Sequence, residues 1–133
     1  MILVVPDCDG PAQVWLAQRG YEFVPPFTTL VCVDDDIRAV FVYNDRNESN
    51  VELSVVTDRV MPWRRGVFRA MFDYPFNQLG VDHLTVRTRK KNREVRRLIR
   101  RLGFKPEGQQ KRYYGNDDAM IYGMNPEDCR WLK

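Results

Sequence analysis

The sequence predicts a mixed α/β domain, a mostly antiparallel sheet with helices on both faces. Three observations predict it. Residues 92–104, "NREVRRLIRRLGF", put Val95, Leu98, Ile99 and Leu102 at i, i+3, i+4 and i+7 with arginines between them, the pattern of an amphipathic helix. Between residues 30 and 57 three β-rich runs follow one another, separated by turn-forming residues, as in an antiparallel meander. The order strand, helix, loop, three strands, helix, strand, helix, two strands contains a β-α-β-α-β core, which requires a mixed sheet covered on both sides. A chain of 133 residues is expected to form one domain, 1–133.

The elements follow in order. Residues 2–6 read as a short apolar strand, and 11–20 as a helix closed by Gly20. Pro25 and Pro26 make 21–30 irregular. "LVCVDDD" (30–36) and "IRAVFVYND" (37–45) read as a hairpin turning at Asp34–Asp36, and "VELSVVT" (51–57) as the third strand. Residues 64–80 repeat Phe68, Met71, Phe72, Phe76 and Leu79 at helical spacing, with Pro75 expected to kink or restart the helix and Gly80 to end it. "HLTVRTR" (83–89) alternates as a strand does. The helix of 92–104 has Asn92 as its N-cap and Gly103 as its C-cap. Two strands, 107–114 and 118–124, close the chain around the turn "GNDD".

Composition narrows the function classes. The longest apolar runs fall short of a membrane span, and the first residues lack the basic and long apolar regions of a leader. Cys8, Cys32 and Cys129 are scattered and His83 is the single histidine, which disfavours both a zinc cluster and a disulfide framework and suits a reducing cytoplasm. The net charge of +3 conceals an asymmetry. Residues 87–112 hold twelve Lys and Arg against Glu94 and Glu107, a local charge of +10 that leaves −7 for the remainder. Such a face either attracts anions or is simply solvated.

"DRVMPWRRGVFRAMF" (58–72) follows a strand and opens a helix, the setting in which backbone N–H groups and the helix dipole hold a phosphate. Arg64, Arg65 and Arg69 add side-chain charge; otherwise they are exposed residues at a helix start.

The element order, taken with "NREVRRLIRRLGFKPEG", resembles the GNAT superfamily of acyl-CoA-dependent N-acyltransferases. The resemblance rests on Asn92, Leu98, Leu102, Gly103, Phe104, Glu107 and Gly108. "DAMIYGM" is similar to the last strand of the ribosomal-protein acetyltransferase branch, and "MPW", "DYPFNQLGV" and "EDCRWL" look like small bacteriophage-encoded members. It implies a GNAT-like fold binding acetyl-CoA, with the pantetheine beside the fourth strand at Val56 and Thr57 and the pyrophosphate on the helix start formed by Arg64, Arg65, Gly66, Val67, Phe68 and Arg69. "RGVFRA" departs from the family's loop by putting Phe68 where a glycine is usual, and Phe68 by itself reads as core. Asn92 is expected to cap its helix, contact the cofactor, or both, and Arg97 to meet the nucleotide end.

Acetyl transfer to an amine needs a base for the amine and often an acid for the departing thiolate. Glu52 is the first candidate base, with an exposed strand carboxylate as the plain alternative; Asp58, at the strand end, is the second, or else caps the following turn. Tyrosine and serine positions that supply the acid in relatives are Ile99 and Val95 here, which leaves Tyr113 and Tyr114 as hydroxyls near the final hairpin, or as packing residues. His83 reads as structural. The acceptor groove is expected around 20–30 and 113–118, with Asp34–Asp36 weakly favouring a cationic amine. The leading reading is thus an acetyl-CoA-dependent N-acyltransferase acting by direct attack, monomeric or homodimeric, cytoplasmic (in a bacterial host if phage-encoded) and without a metal. The absent acid motivates an alternative, a catalytically silent GNAT-like protein that binds a host protein or virion component. A nucleic-acid surface on 87–112 is less favoured, because neither helix-turn-helix nor RRM patterns occur.

Overall fold

The computed structural model describes residues 2–58, 61 and 63–133. Seven strands form one sheet in the order β1-β2-β3-β4-β5-β7-β6: β1 (Leu3–Pro6), β2 (Phe27–Asp34), β3 (Asp36–Asn44), β4 (Asn50–Thr57), β5 (His83–Arg89), β6 (Lys105–Gln110) and β7 (Ala119–Met124). Every neighbouring pair is antiparallel except β4 and β5. Helix α1 (Asp9–Gln18) covers one face, while α2 (Arg65–Asp73) and α3 (Arg93–Leu102) cover the other.

The central strands explain why both faces are covered. Val40 and Val42 pack with Val31, Ala12, Trp15 and Leu16 on the α1 side. Their alternates Phe41 and Tyr43 join Leu30, Val51, Leu53, Met71 and Phe72 on the α2/α3 side. With a side-chain period of two, strands apolar at every position must be buried on both faces.

Several boundaries differ from the sequence expectation. β2 begins at Phe27, directly after the cis Pro25–Pro26 bond, so the irregular stretch is shorter than 21–30. α1 begins at Asp9, whose carboxylate accepts from the backbone N–H (3.1 Å) and hydroxyl (2.6 Å) of Thr29 and thereby ties the helix start to β2. β6 stops at Gln110 because the chain turns at Arg112 (φ 57°), whose N–H is captured by the Asp118 carboxylate at 2.9 Å. Pro106 is tolerated in β6 because that strand is an edge.

At Pro75, where a kink or a restart was expected, the helix changes type. The chain runs on as a π-helical turn, Tyr74–Gln78, with Leu79 N–H bonded to Tyr74 O, five residues back, at 2.9 Å. Lacking an N–H, Pro75 cannot serve the Met71 carbonyl four residues earlier. The buried Tyr43 hydroxyl donates to that carbonyl instead, at 2.6 Å.

Candidate functional site

The site begins where β4 and β5 part. Their parallel pairing runs from Asn50↔His83 to Leu53↔Val86 and ends there, although β4 continues to Thr57 and β5 to Arg89. β4 stays paired with β3 along its whole length. Asp58 N–H bonds back to Arg38 O at 2.8 Å. The alternation of an antiparallel ladder therefore turns the even-numbered residues of β4 toward β3 and aims the N–H and C=O of Val55 and Thr57 into the gap. By the same alternation, Lys90 N–H on Asp118 O (2.9 Å) turns the odd-numbered residues of β5, Arg87 among them, toward β4.

A cavity of about 430 Å³ fills this fork, walled by Leu53 and Val55 from β4, Val86 from β5, Phe68 from α2, and Asn92, Val95, Leu98 and Ile99 from α3. Among the described residues, four of the eight large apolar side chains left exposed, Tyr21, Val55, Val95 and Leu98, line it. These residues are missing a partner, not misplaced on the surface. Pockets of this size that combine apolar walls with a few polar groups suit small ligands.

α2 reaches the slot at Phe68, one turn in from its start. Arg64 is its N-cap, with no side-chain cap and no acidic residue in the first turn. The first turn thus offers unsatisfied N–H groups and partial positive charge beside Arg64, Arg65 and Arg69. Phe68 is sandwiched between Trp63 (5.2 Å, 4°) and Trp131 (4.8 Å), and Trp63 stacks in turn on Phe41 at 6.1 Å. Arg65 lies 5.9 Å over Trp131. The aromatic side chain that departs from the glycine pattern therefore packs as core and as slot wall together.

The predicted residues are distributed as follows. Asn92 lines the cavity while its side chain accepts from Val95 N–H at 3.3 Å, so capping and lining coexist. Val56 touches the cavity, but its side chain belongs to the α1-side core and its backbone faces β3; Val55 and Thr57 hold the open edge. Arg64, Gly66 and Val67 border a separate groove against β1. Arg97 lies on the far side of α3, in a groove with Arg93, Arg96 and Arg100, and does not reach the cavity. Asp58 is held by Arg19 at 3.0 Å, outside the lining.

Glu52 and Tyr113 meet through a residue that sequence reading passed over. The Arg87 guanidinium lies 3.2 Å from the Glu52 carboxylate and 4.7 Å from the centre of the Tyr113 ring, reaches Gln110, and lines the cavity. Burial raises the Glu52 carboxyl above its ordinary value, and the Arg87 charge and hydrogen bond pull it back. Beside this pair, His83 bridges Asn50 (2.7 Å) and Glu107 (2.8 Å). A register shift between Pro106 and Gly108 frees Glu107 to lie across Gly123, where a Cβ would collide with its carboxylate. Tyr21 and Phe23 fall within 20–30, the stretch expected to shape the acceptor groove, but neither was singled out. They line both the fork and an adjoining cavity of about 320 Å³ with Leu16, Glu22 and Phe27. Nothing in their local pattern marks them, since the α1–β2 loop is placed by tertiary packing.

No family model matches the sequence, and no curated protein resembles it in sequence. Solved structures do share its shape. The spermidine/spermine N-acetyltransferase SpeG from Vibrio cholerae superposes with a TM-score of 0.82 over 96% of each chain at 11% identity. The fold is that of the GNAT acetyltransferases. The N-acetyltransferase PseH from Campylobacter jejuni matches with a TM-score of 0.71 at 11% identity, covering 94% of this chain and 98% of its own. The ribosomal-protein-S5-alanine acetyltransferase from Vibrio fischeri matches with a TM-score of 0.66 at 17% identity, covering 90% of this chain and 70% of its own. At such identities the likeness is one of GNAT architecture, and the chemistry has to be read from the fork. No helix among the described residues is long and apolar enough to cross a membrane.

Proposed function

We infer that this GNAT-fold protein is an acetyl-CoA-dependent N-acyltransferase that acetylates an amine by direct attack in a ternary complex. The observation that carries this reading is the fork, an apolar slot between two strand edges whose pairing has stopped, walled on one side by Phe68 of α2. Acetyl-CoA supplies the activated acyl group as a thioester. Val55, Val95 and Leu98 offer apolar contact to the pantetheine arm, Val55 and Thr57 offer backbone amides, and the first turn of α2 with Arg64, Arg65 and Arg69 offers positive charge to its phosphates. Asn92 borders the same slot. Glu52 is the proposed proton acceptor, acting from the sheet face opposite α2 with Arg87 between it and the slot, and Asp58 is the more remote candidate. Tyr21, the tyrosine in the slot lining, is a better-placed donor than Tyr113, which stands behind Arg87. The amine enters past Tyr21 and Phe23.

Ile99 and Val95 give α3 no hydroxyl in the slot, which favours a second reading in which the protein binds the cofactor without turnover, as a partner for another protein. One experiment addresses both. Calorimetric titration with acetyl-CoA is expected to give micromolar binding, weakened at least tenfold in Leu98→Trp, which fills the slot from an exposed position. Arg65→Ala is expected to cost about tenfold, the worth of one charge-assisted hydrogen bond at ~1.5 kcal/mol. Thiol release is then followed with polyamines and with alanine- and lysine-bearing peptides. Binding with release supports the enzyme, binding without release the silent protein, and no binding by the folded chain removes both.

A further inference from the structure

Helix α3 carries two stripes at identical spacing. Val95, Leu98, Ile99 and Leu102 face the slot and the core. Arg93, Arg96, Arg97 and Arg100 repeat the same i, i+3, i+4, i+7 pattern two residues earlier, a rotation of about 200° on a helix of 3.6 residues per turn. They line a groove of about 250 Å³ on the outer side. That groove adjoins a cleft edged by Lys90 and Lys91.

We propose that this outer face of α3, with Lys90 and Lys91, docks the phosphate backbone of a nucleic acid, at a site separate from the acyl-CoA slot. Among the described residues no carboxylate forms an ion pair with an α3 arginine. Among the described residues two cations of this face have partners: Arg96 donates to the Tyr122 hydroxyl and the Lys90 carbonyl at 2.9 Å each, and the Lys91 ammonium donates to the Asn116 carbonyl at 3.3 Å. The two carboxylates at the far end of the cleft are already engaged. Asp117 accepts from the Lys91 and Asp118 backbone N–H groups, and Asp118 from Gln109 and the Arg112 N–H. The two arginines of β5 are also spoken for, Arg87 by Glu52 and Arg89 stacked 4.4 Å over Tyr114.

The partner follows from what the face lacks. A protein interface needs an apolar centre. Among the described residues, none of the exposed large apolar side chains belongs to the groove or cleft of this face. Backbone recognition of a nucleic acid needs only regularly placed donors, and the planar guanidinium suits phosphate. The row from Arg93 to Arg100 spans about 10 Å, the axial reach of about three phosphates on one strand.

The test is fluorescence anisotropy with a labelled 20-nucleotide single strand and a 20-base-pair duplex, over a range of sodium chloride concentrations. Sequence-independent binding is expected, with a Kd of roughly 10⁻⁴–10⁻⁶ M at physiological salt and a log–log salt slope of about −4 on the duplex. The triple variant Lys90→Gln, Arg93→Gln, Arg100→Gln should bind at least tenfold more weakly, with a slope shallower by about three, while its unfolding midpoint and acetyl-CoA titration stay as in the wild type. Tighter binding of either form supports the proposal and identifies that form as the partner. Wild-type affinity in the triple variant, displacement of the oligonucleotide by acetyl-CoA, or equal binding of polyglutamate would each overturn it, the last by assigning the face to an acidic protein segment. Because acetyl-CoA binding is measured separately, failure here leaves the acyltransferase reading standing.

Discussion

Glu52 shows how one residue's chemistry depends on a distant register. Its neighbours in sequence mark it only as a strand carboxylate on the face opposite Leu53. What defines it is Arg87, 35 positions away, brought alongside by the parallel pairing of Glu52 with Thr85. A carboxyl raised by burial holds its proton more tightly in the folded chain than in the unfolded one. Its contribution to stability is therefore complete below the ordinary value of 4.5 and is lost as pH rises through the folded value. Glu52→Gln removes that dependence, so denaturant unfolding should show the variant gaining on the wild type from about pH 4.5 toward neutrality; a pH-independent difference would dismiss the burial argument. If Glu52 is also the base, the acid limb of kcat/KM should lie above the ordinary carboxyl range and vanish in the same variant.

Among the elements, local pattern and tertiary pairing divided what could be read. The helix at 92–104 was fully legible, because Asn92, the apolar stripe and Gly103 all act within a few residues of one another. The segment 64–80 was legible as helical but not as a π turn, because the replacement partner for Met71 O is a tyrosine 28 residues upstream. This rescue is testable by a double-mutant cycle. Tyr43→Phe leaves a buried carbonyl without a donor and should cost about 1–3 kcal/mol in urea unfolding. In a Pro75→Ala background a backbone N–H becomes available for Met71 O, and the cost of Tyr43→Phe should shrink measurably. Equal costs in both backgrounds would mean that the hydroxyl matters for packing alone. The boundaries misjudged in β2 and β6 have the same origin. Strand ends are set by their partners, Asn44 opposite Phe27 and Ala119 opposite Gln110.

Taken whole, the molecule keeps its slot and its cations on opposite sides of one helix. The charge excess of 87–112 was plain in the sequence, but its division between arginines paired on β5 and α3 arginines that meet no carboxylate among the described residues needed the three-dimensional pairing. The mixed, two-sided sheet was legible from element order, since β-α-β-α-β admits few covered arrangements. The fork was not, because it consists of pairing that stops, and periodicity does not record where a ladder ends. Its energetic mark should be visible in thermal unfolding. A ligand at one hundred times its Kd stabilises the folded state by ~2.7 kcal/mol. For a chain of this size that corresponds to a rise in Tm of roughly 10 °C with acetyl-CoA. The rise should be abolished in Leu98→Trp and retained in the triple variant of the α3 outer face.

The stacked ladder of Phe41, Trp63 and Phe68 has an optical consequence. Trp63 forms part of the slot wall, whereas Trp15 sits on the opposite side of the sheet beneath the Arg19 guanidinium, 3.6 Å from it. Replacing Trp15 and Trp131 with phenylalanine would leave one fluorophore in contact with whatever occupies the fork. Its emission would then report filling and emptying in real time, without a label and with the fold itself as the instrument.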